Sequence, residues 1–291
     1  MSFAASEIAA LTIERPGALR DMYLLSPFVW REAALYRMLL RVVPRSDDPA
    51  KKIARVHYAE SRDGLHFTLG DKPAVAPGHE NDHDGCEDPT VCIDGGRYYV
   101  YYTGWDQRSQ RGQLMLAEGD DALQLKKRGT ILPWTAERKN PKEATVVKAA
   151  DGSWRMFFEY AHDDRSKIGI ARGPAVDGPW TVDEPLFEAR AKSWDDWHLS
   201  TGPIVLTQSG NPAMFYNGAT RDAKWRIGSI TFDPGYTRVL DRCDEPLVVP
   251  PAQREEGATD IAFAASAVAE NGVTHLYYSV ADKDMYRATI G

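Results

Sequence analysis

The sequence predicts an all-β chain folded as a five-bladed β-propeller, on three observations. Runs of β-branched and aromatic residues recur in pairs. Turns containing glycine separate the members of each pair. The aromatic centres of the pairs, Tyr99, Phe157, Phe215 and Tyr277, fall roughly 60 residues apart, a period suited to repeated sheets.

The elements follow in order. SEIAALTIERPGALRD (6–21) is short and interrupted by Pro16, so it reads as a strand or helix that helps close the ring. The first and most divergent unit holds YRMLLRVV (36–43) and IARVHYAES (53–61). The second pairs RYYVYYTGW (97–105) with GQLMLAEG (112–119), and the third pairs SWRMFFEYA (153–161) with KIGIARG (167–173). The fourth pairs PAMFYNGAT (212–220) with WRIGSITF (225–232), and the fifth pairs THLYYSVAD (274–282) with MYRATI (285–290). The turns IDGGRYY, AADGSWR, TQSGNPA and AENGVTH supply the positive φ that tight hairpins need. Each unit resembles one antiparallel sheet of about four strands, and five arranged radially make a propeller occupying 1–291 as a single domain. A two-sheet sandwich is the rival fold and explains the period less well. No long stretch of helical periodicity competes.

Composition narrows the function. Hydrophobic residues make up 43% of the 291 and charged residues 26%, ordinary for a soluble globular chain. A net charge of −7 disfavours nucleic acid and membrane surfaces as partners, since both select a basic field. There is no apolar run of about 18 residues, so no membrane span is expected. The start, MSFAASEIAALTIERPG, lacks the basic and apolar regions of a signal peptide, and a cytoplasmic protein is expected. Cys86, Cys92 and Cys243 lack CxxC spacing, which argues against a disulfide framework or a zinc site. The pattern does not bear on oligomeric state.

In a propeller the loops entering the innermost strands converge on one face, so function is expected there. The five entrances read LLSPFVWRE (24–32), GCEDPTV (85–91), NPKEATVV (140–147), WDDWHLSTGPIV (194–205) and REEGATDIAF (254–263). Four of them carry acids just before a β run, and Trp recurs. Carboxylates that accept from hydroxyls, beside aromatic plates for C–H faces, suit a carbohydrate ligand. From the residues alone, Asp88 either faces such a pocket or caps the turn before Pro89.

The ordered series of motifs resembles glycoside hydrolase family 130, the β-mannoside phosphorylases and β-mannosidases. AESRDGLHF (59–67), GCEDPTV, NPKEATVV, GPIV with PAMFYNGAT, YTRVLDRCDEPLVVP (236–250) and EEGATDIAFAASAVAENGVTHLYYSVAD carry the resemblance through nearly the whole chain. It implies a five-bladed fold and inverting action on β-linked mannosides. Propellers of the arabinanase and invertase type share the entrance Asp-Pro and stand as a nearby alternative.

The resemblance implies that Asp88 is the general acid, working through a sugar hydroxyl, with Glu87 beside it as a sugar contact. That role asks for a raised pKa, which the like charge of Glu87 can supply. Thr90 stands where the family signature has Arg. Lys142 matches a family lysine, and Glu159 falls where the family has His. A glutamate there repels phosphate and can activate water, so hydrolysis is the expected reaction, with Glu159 as base and Glu143 as the second candidate. Period-two alternation leaves the face of Glu159 open, since Phe157 and Phe158 are both apolar.

Mannoside phosphorolysis is the alternative, with inorganic phosphate as co-substrate held by Arg108, Arg111, Lys142 and His162. A noncatalytic sugar-binding propeller is the third reading. Further substrate contacts expected are Arg41, Asp63, Trp105, Asp196, Trp197, His198 and Asp282. Asp63 can equally shape its turn, and Trp105 and Trp197 can equally be packing residues. HENDHDG (79–85) groups His79, Asp82, His83 and Asp84, but the chemistry needs no metal, so no metal or other cofactor is expected.

Overall fold

The computed structural model describes residues 3–251 and 259–291. The first part of the fifth entrance, Arg254 to Ala258, lies outside the described residues. The described chain is all-β apart from two short 3-10 turns, Gly17–Asp21 and Pro49–Lys51. Among the described residues no helix is long and apolar enough to cross a membrane.

Strands β1 (Ala5–Ala10), β2 (Thr12–Glu14), β3 (Tyr23–Glu32), β4 (Leu35–Val43), β5 (Arg55–Ser61) and β6 (His66–Val75) open the chain. β7 (Gly85–Asp94), β8 (Arg97–Asp106), β9 (Arg111–Gly119) and β10 (Lys126–Leu132) form the second group. β11 (Lys139–Lys148), β12 (Trp154–His162), β13 (Arg165–Gly173) and β14 (Thr181–Asp183) form the third. The fourth comprises β15 (His198–Ser200), β16 (Ile204–Leu206), β17 (Pro212–Met214), β18 (Asn217–Ala219), β19 (Trp225–Ile227), β20 (Ile230–Phe232) and β21 (Val239–Arg242). The last is β22 (Ala262–Glu270), β23 (Val273–Val280) and β24 (Asp284–Ile290).

From β3 to β6, and throughout the second, third and last groups, sequential strands pair antiparallel. The N-terminal segment divides between two sheets. β1 pairs with the C-terminal β24, while β2 runs parallel to β6. The first and last sheets are therefore tied by the chain's two ends.

The fourth group departs from the expected long strands. PAMFYNGAT splits into β17 and β18, and WRIGSITF into β19 and β20, in two short sheets lying in line. The Phe215 N–H donates to Pro203 O and the Gly228 N–H to Tyr216 O across the break. At the break Gly202 packs so close to Phe215 O that an added Cβ would collide with it.

Buried apolar side chains gather into five clusters, each between successive groups. One joins the first group to the last through Met38, Phe67, Tyr277 and Met285. Strand alternation feeds two clusters from one strand. In β8, Tyr98, Val100 and Tyr102 pack toward the first group, while Tyr101 packs toward the third. Covering both faces explains why these strands read as continuous aromatic runs rather than alternating ones.

The strands that open successive groups are not regular. Pairing slips between Leu25 and Phe28, between Glu87 and Thr90, between Lys142 and Thr145, and between Ala264 and Ser266. At the first three slips Ser26, Asp88 and Glu143 adopt φ of 50°, 48° and 52°. These are bulges, which re-aim a side chain out of the pleat.

Buried polar groups link the bulged segments. The Ser26 hydroxyl donates to Asp88 Oδ1 (2.7 Å), and the Thr201 hydroxyl donates to Glu143 O. The Ser266 hydroxyl donates to Pro27 O (2.8 Å) and accepts from the Val29 N–H (2.7 Å). The Asn217 side-chain amide donates to Thr201 O (2.6 Å) and Ala264 O (3.2 Å), and its Oδ1 accepts from the Ala264 N–H (2.7 Å).

Asn217 is fully buried and makes all three bonds with one side chain. Asn217→Ala strands those three groups, each costing roughly 1–3 kcal/mol when buried unpaired. The expected loss of stability in denaturant unfolding is about 3 kcal/mol or more. A loss below about 1 kcal/mol would show that this clasp does not couple the fourth group to the fifth.

Candidate active site

The bulges of β3, β7 and β11 open onto one cavity of about 240 Å³. Its wall includes Ser26, Arg41, Asp88, Lys142, Glu143 and Glu159, with Asp282 at the mouth and Trp225 and Phe263 forming an apolar side. Residues from all the strand groups contribute, which no local stretch of sequence could display.

Arg41 on β4 spans the Glu87–Asp88 pair. Its guanidinium lies 2.7 Å from Glu87 Oε1 and 3.5 Å from Asp88 Oδ1. Asp88 is buried. Burial pushes the Glu87 carboxyl up and Arg41 draws it back. The Arg41 guanidinium is itself raised, because the attraction of Asp88, Glu87 and Glu143 outweighs its burial.

Lys142 and Glu159 face each other directly across the β11–β12 ladder. The ammonium lies 3.4 Å from Glu159 Oε1, which also accepts from the Ser166 hydroxyl at 2.7 Å. The Glu159 charge is the main cause that raises the Lys142 ammonium. Glu159 is buried, and its second oxygen, Oε2, has no hydrogen-bond partner. Glu159 shares the face of Phe157, toward the fourth group.

Behind it stands His198. The Ser166 N–H donates to His198 Nδ1 (3.0 Å), so Nδ1 is the unprotonated nitrogen. Burial lowers the imidazole's pKa, consistent with a neutral ring. The ring stacks on Trp225 with centroids 5.6 Å apart, and Phe263 meets Trp225 edge-on at 5.3 Å.

Glu143 is different again. Burial, followed by the Asp88 charge, holds its carboxyl well above the ordinary value of 4.5. A carboxyl so raised holds its proton more firmly than an ordinary one.

Of the residues singled out from the sequence, Arg41, Asp88, Lys142, Glu143, Glu159 and Asp282 line the cavity. Glu87 sits behind Arg41, and His198 supports Trp225 and Ser166. The others lie elsewhere. Asp63 is in the β5–β6 turn, where it accepts from the Leu65 and His66 N–H groups. Arg41 pairs with Val56 and Tyr36 with Ser61, so that turn lies five register steps away, about 17 Å.

His162 is three residues beyond Glu159, an odd number that places it on the opposite strand face. There it borders a separate cleft with Glu137 and Tyr160. Arg111 stacks on Trp134 (4.1 Å), and Arg108 is exposed in the β8–β9 loop. Neither lines the cavity. Trp105 donates to Gln107 at the surface. Asp196 is outside the cavity lining, and Trp197 packs against Arg165 and Arg221.

Asp82 of HENDHDG is buried, accepting from the Gly78 and His79 N–H groups, Tyr102 and Lys127. It anchors the approach to β7.

Ser26 and Phe263 lay within entrance stretches without being singled out, Ser166 and Trp225 carried no signal, and Ser26 precedes Pro27 as Asp88 precedes Pro89. That parallel between two bulges was available to be read.

Comparison with known proteins follows the same lines. A family model described as beta-1,4-mannooligosaccharide phosphorylase, of the glycoside hydrolase 130 group, matches residues 32–290. A 1,2-beta-oligomannan phosphorylase of Thermoanaerobacter sp. strain X514 is 25% identical over 266 residues, covering 87% of this chain and 86% of that one. The solved structure of a Beta-1,2-Mannobiose phosphorylase from Listeria innocua, in complex with beta-1,2-mannobiose, is similar with a TM-score of 0.80. That likeness spans 99% of this chain and 96% of the other at 22% identity. Another solved structure carries the description "The GH130 family of mannoside phosphorylases contains glycoside hydrolases that target beta-1,2 mannosidic linkages in Candida mannan". It is similar with a TM-score of 0.76 at 20% identity, over 97% of this chain and 94% of that one.

The raised Glu143 carboxyl has a consequence for stability. Above 4.5 the folded protein holds a proton that the unfolded chain has lost, so this group's contribution is full below 4.5 and is lost as pH rises through its folded value. Glu143→Gln removes that component. Thermal unfolding from about pH 5 to pH 8 should show a flatter pH dependence in the variant than in the parent. Parallel curves would show that Glu143 is not protonated in the folded state.

Proposed function

The chain belongs to glycoside hydrolase family 130, and on that premise we propose that it is an inverting enzyme that cleaves β-linked mannosides with water as the acceptor. The fold that suits this reading is one five-bladed β-propeller domain with a cavity on its axis, β1 closing the ring against β24. Five cores in cyclic succession support that assignment.

One observation carries the choice of water: the unpartnered, buried Oε2 of Glu159. Lys142 and Ser166 hold the other oxygen, which leaves Oε2 free to take a proton. In the proposed step, water attacks the anomeric carbon and gives its proton to Glu159. The glycosidic C–O bond breaks, and its oxygen receives a proton that originates at Asp88, as the family resemblance implies. Trp225 and Phe263 offer an apolar plate for the sugar's C–H face. The cavity lies below the roughly 300–1,000 Å³ usual for ligand pockets, which suits one sugar residue with the rest of the substrate outside.

The charges around the cavity favour water over phosphate. Asp88, Glu87, Glu143, Glu159 and Asp282 face only two cations among the described residues, Arg41 and Lys142. Both cations are already paired, whereas a phosphate dianion needs several unspent donors.

Phosphorolysis is the second reading. The phosphorylase relatives favour it, and Lys142 is the group that would hold phosphate.

Product analysis by NMR, with and without phosphate, separates the two. Hydrolysis predicts free α-mannose as the first product, at a rate phosphate does not change. Mannose 1-phosphate formed only when phosphate is added would replace the first reading with the second. Glu159→Gln and Asp88→Asn should each lower turnover by about 10²–10⁴, while Glu143→Gln, close to the state already held, should lose less than about tenfold. Full activity in Glu159→Gln would remove that residue from the chemistry.

A further inference from the structure

Trp197 lies between two guanidiniums. Arg165, the first residue of β13, sits 3.9 Å from its ring centroid, and Arg221, just after β18, sits 4.6 Å away. Two like charges drawn to one indole need an explanation. Among the described residues neither arginine has a carboxylate within ion-pair distance, and neither guanidinium donates a hydrogen bond. Of the carboxylates nearby in sequence, Asp163 pairs with His162 (3.2 Å) and Asp222 with Lys224 (2.9 Å), while Asp164 and Asp196 pair with neither arginine.

Stacking on a ring uses the face of a guanidinium and leaves its in-plane N–H donors unspent. It also holds the long side chain in one place, which lowers the entropy lost on binding. Trp197 is itself pinned, its Nε1–H donating to Asp164 O (3.2 Å).

None of the three lines the cavity, but two of them neighbour residues that support its wall. Arg165 precedes Ser166, whose hydroxyl holds Glu159, and Trp197 precedes His198, which stacks on the cavity wall at Trp225. The cavity takes one sugar residue, so the sugar across the scissile bond must rest on the rim. Within the cavity acids dominate. At this part of the rim two cations meet on one ring, beside Asp164 and Asp196.

We infer that Arg165, Trp197 and Arg221 form a leaving-group subsite that selects substrates whose reducing-side sugar carries an anionic group, a phosphate ester or a carboxylate. This rests on the proposed cleavage of β-mannosides at the Asp88–Glu159 cavity. The guanidiniums take the anionic oxygens through charge-assisted hydrogen bonds, and the indole edge lies against the sugar.

The test compares three β-mannosyl disaccharides that differ only in the reducing-side sugar: neutral, 6-phosphorylated, and oxidised to the uronate. The wild type should show kcat/KM at least about tenfold higher for one or both charged substrates. Which one wins distinguishes phosphate from carboxylate. Arg165→Ala with Arg221→Ala should abolish that preference. Arg165→Lys with Arg221→Lys retains the charge and should keep part of the preference, which guards against a folding defect in the alanine variant.

Equal kcat/KM for neutral and charged substrates in the wild type would overturn the subsite, as would a preference that survives in the double alanine variant. If no disaccharide is cleaved, the function reading has failed on its own, and calorimetric titration of the wild type then decides the subsite. Charged disaccharides binding about tenfold tighter than the neutral one would support it. Equal affinities, or no binding, would end it.

Discussion

The left-handed bulge in the opening strand of a sheet is the feature on which the site depends. A regular strand sends alternate side chains to its two faces, and here both faces are filled by the cores. Three of the side chains that line the cavity reach it where the pleat is broken, while Arg41 and Glu159 reach it from regular strands. Ser26, Asp88 and Glu143 each sit at such a break with φ near 50°. For a residue other than glycine that conformation costs on the order of 1–3 kcal/mol. The cost is offset by the hydroxyl and amide bonds that tie one bulge to its neighbour, such as Ser26 to Asp88 and Thr201 to the Glu143 carbonyl. The same bonds that close the interior also fix the direction of the carboxyls.

Those bulges then concentrate charge. Glu87, Asp88, Glu143 and Glu159 approach one another with Arg41 and Lys142 between them. Carboxyls so close cannot all be ionised without large repulsion. The burden falls on Glu143, whose carboxyl burial and the Asp88 charge together hold well above its ordinary value. Glu159 instead meets Lys142 directly across the ladder and the Ser166 hydroxyl. One cluster of similar side chains is thereby divided into unlike roles by the partners each one meets, a division useful for acid–base chemistry.

Much of the architecture was legible from local pattern. Paired aromatic runs, Gly turns and the roughly 60-residue spacing reflect short-range physics, namely turn geometry and two-sided strand burial. Splitting of the fourth unit was not legible, because it arises from the approach of Gly202 to Phe215, distant in sequence. Entrance acids on the bulges were also readable, since Asp88 and Glu143 stand just before a β run. Trp225 was not, because a tryptophan in a strand reads alike whether it faces a core or a cavity.

By itself the sequence determined the β class, the repeat, the family and the placement of Asp88, Glu143 and Lys142 at strand entrances, all encoded within a few residues of each position. Tertiary structure alone decided which acids share a cavity and what state each holds. Strand parity turned Glu159 toward the fourth group and His162 away from it. Register put Asp63 at the far end of its sheet, and packing placed Arg165 and Arg221 against one indole. Burial and charge pairing are sums over neighbours from every sheet, and those neighbours meet only when the chain has folded.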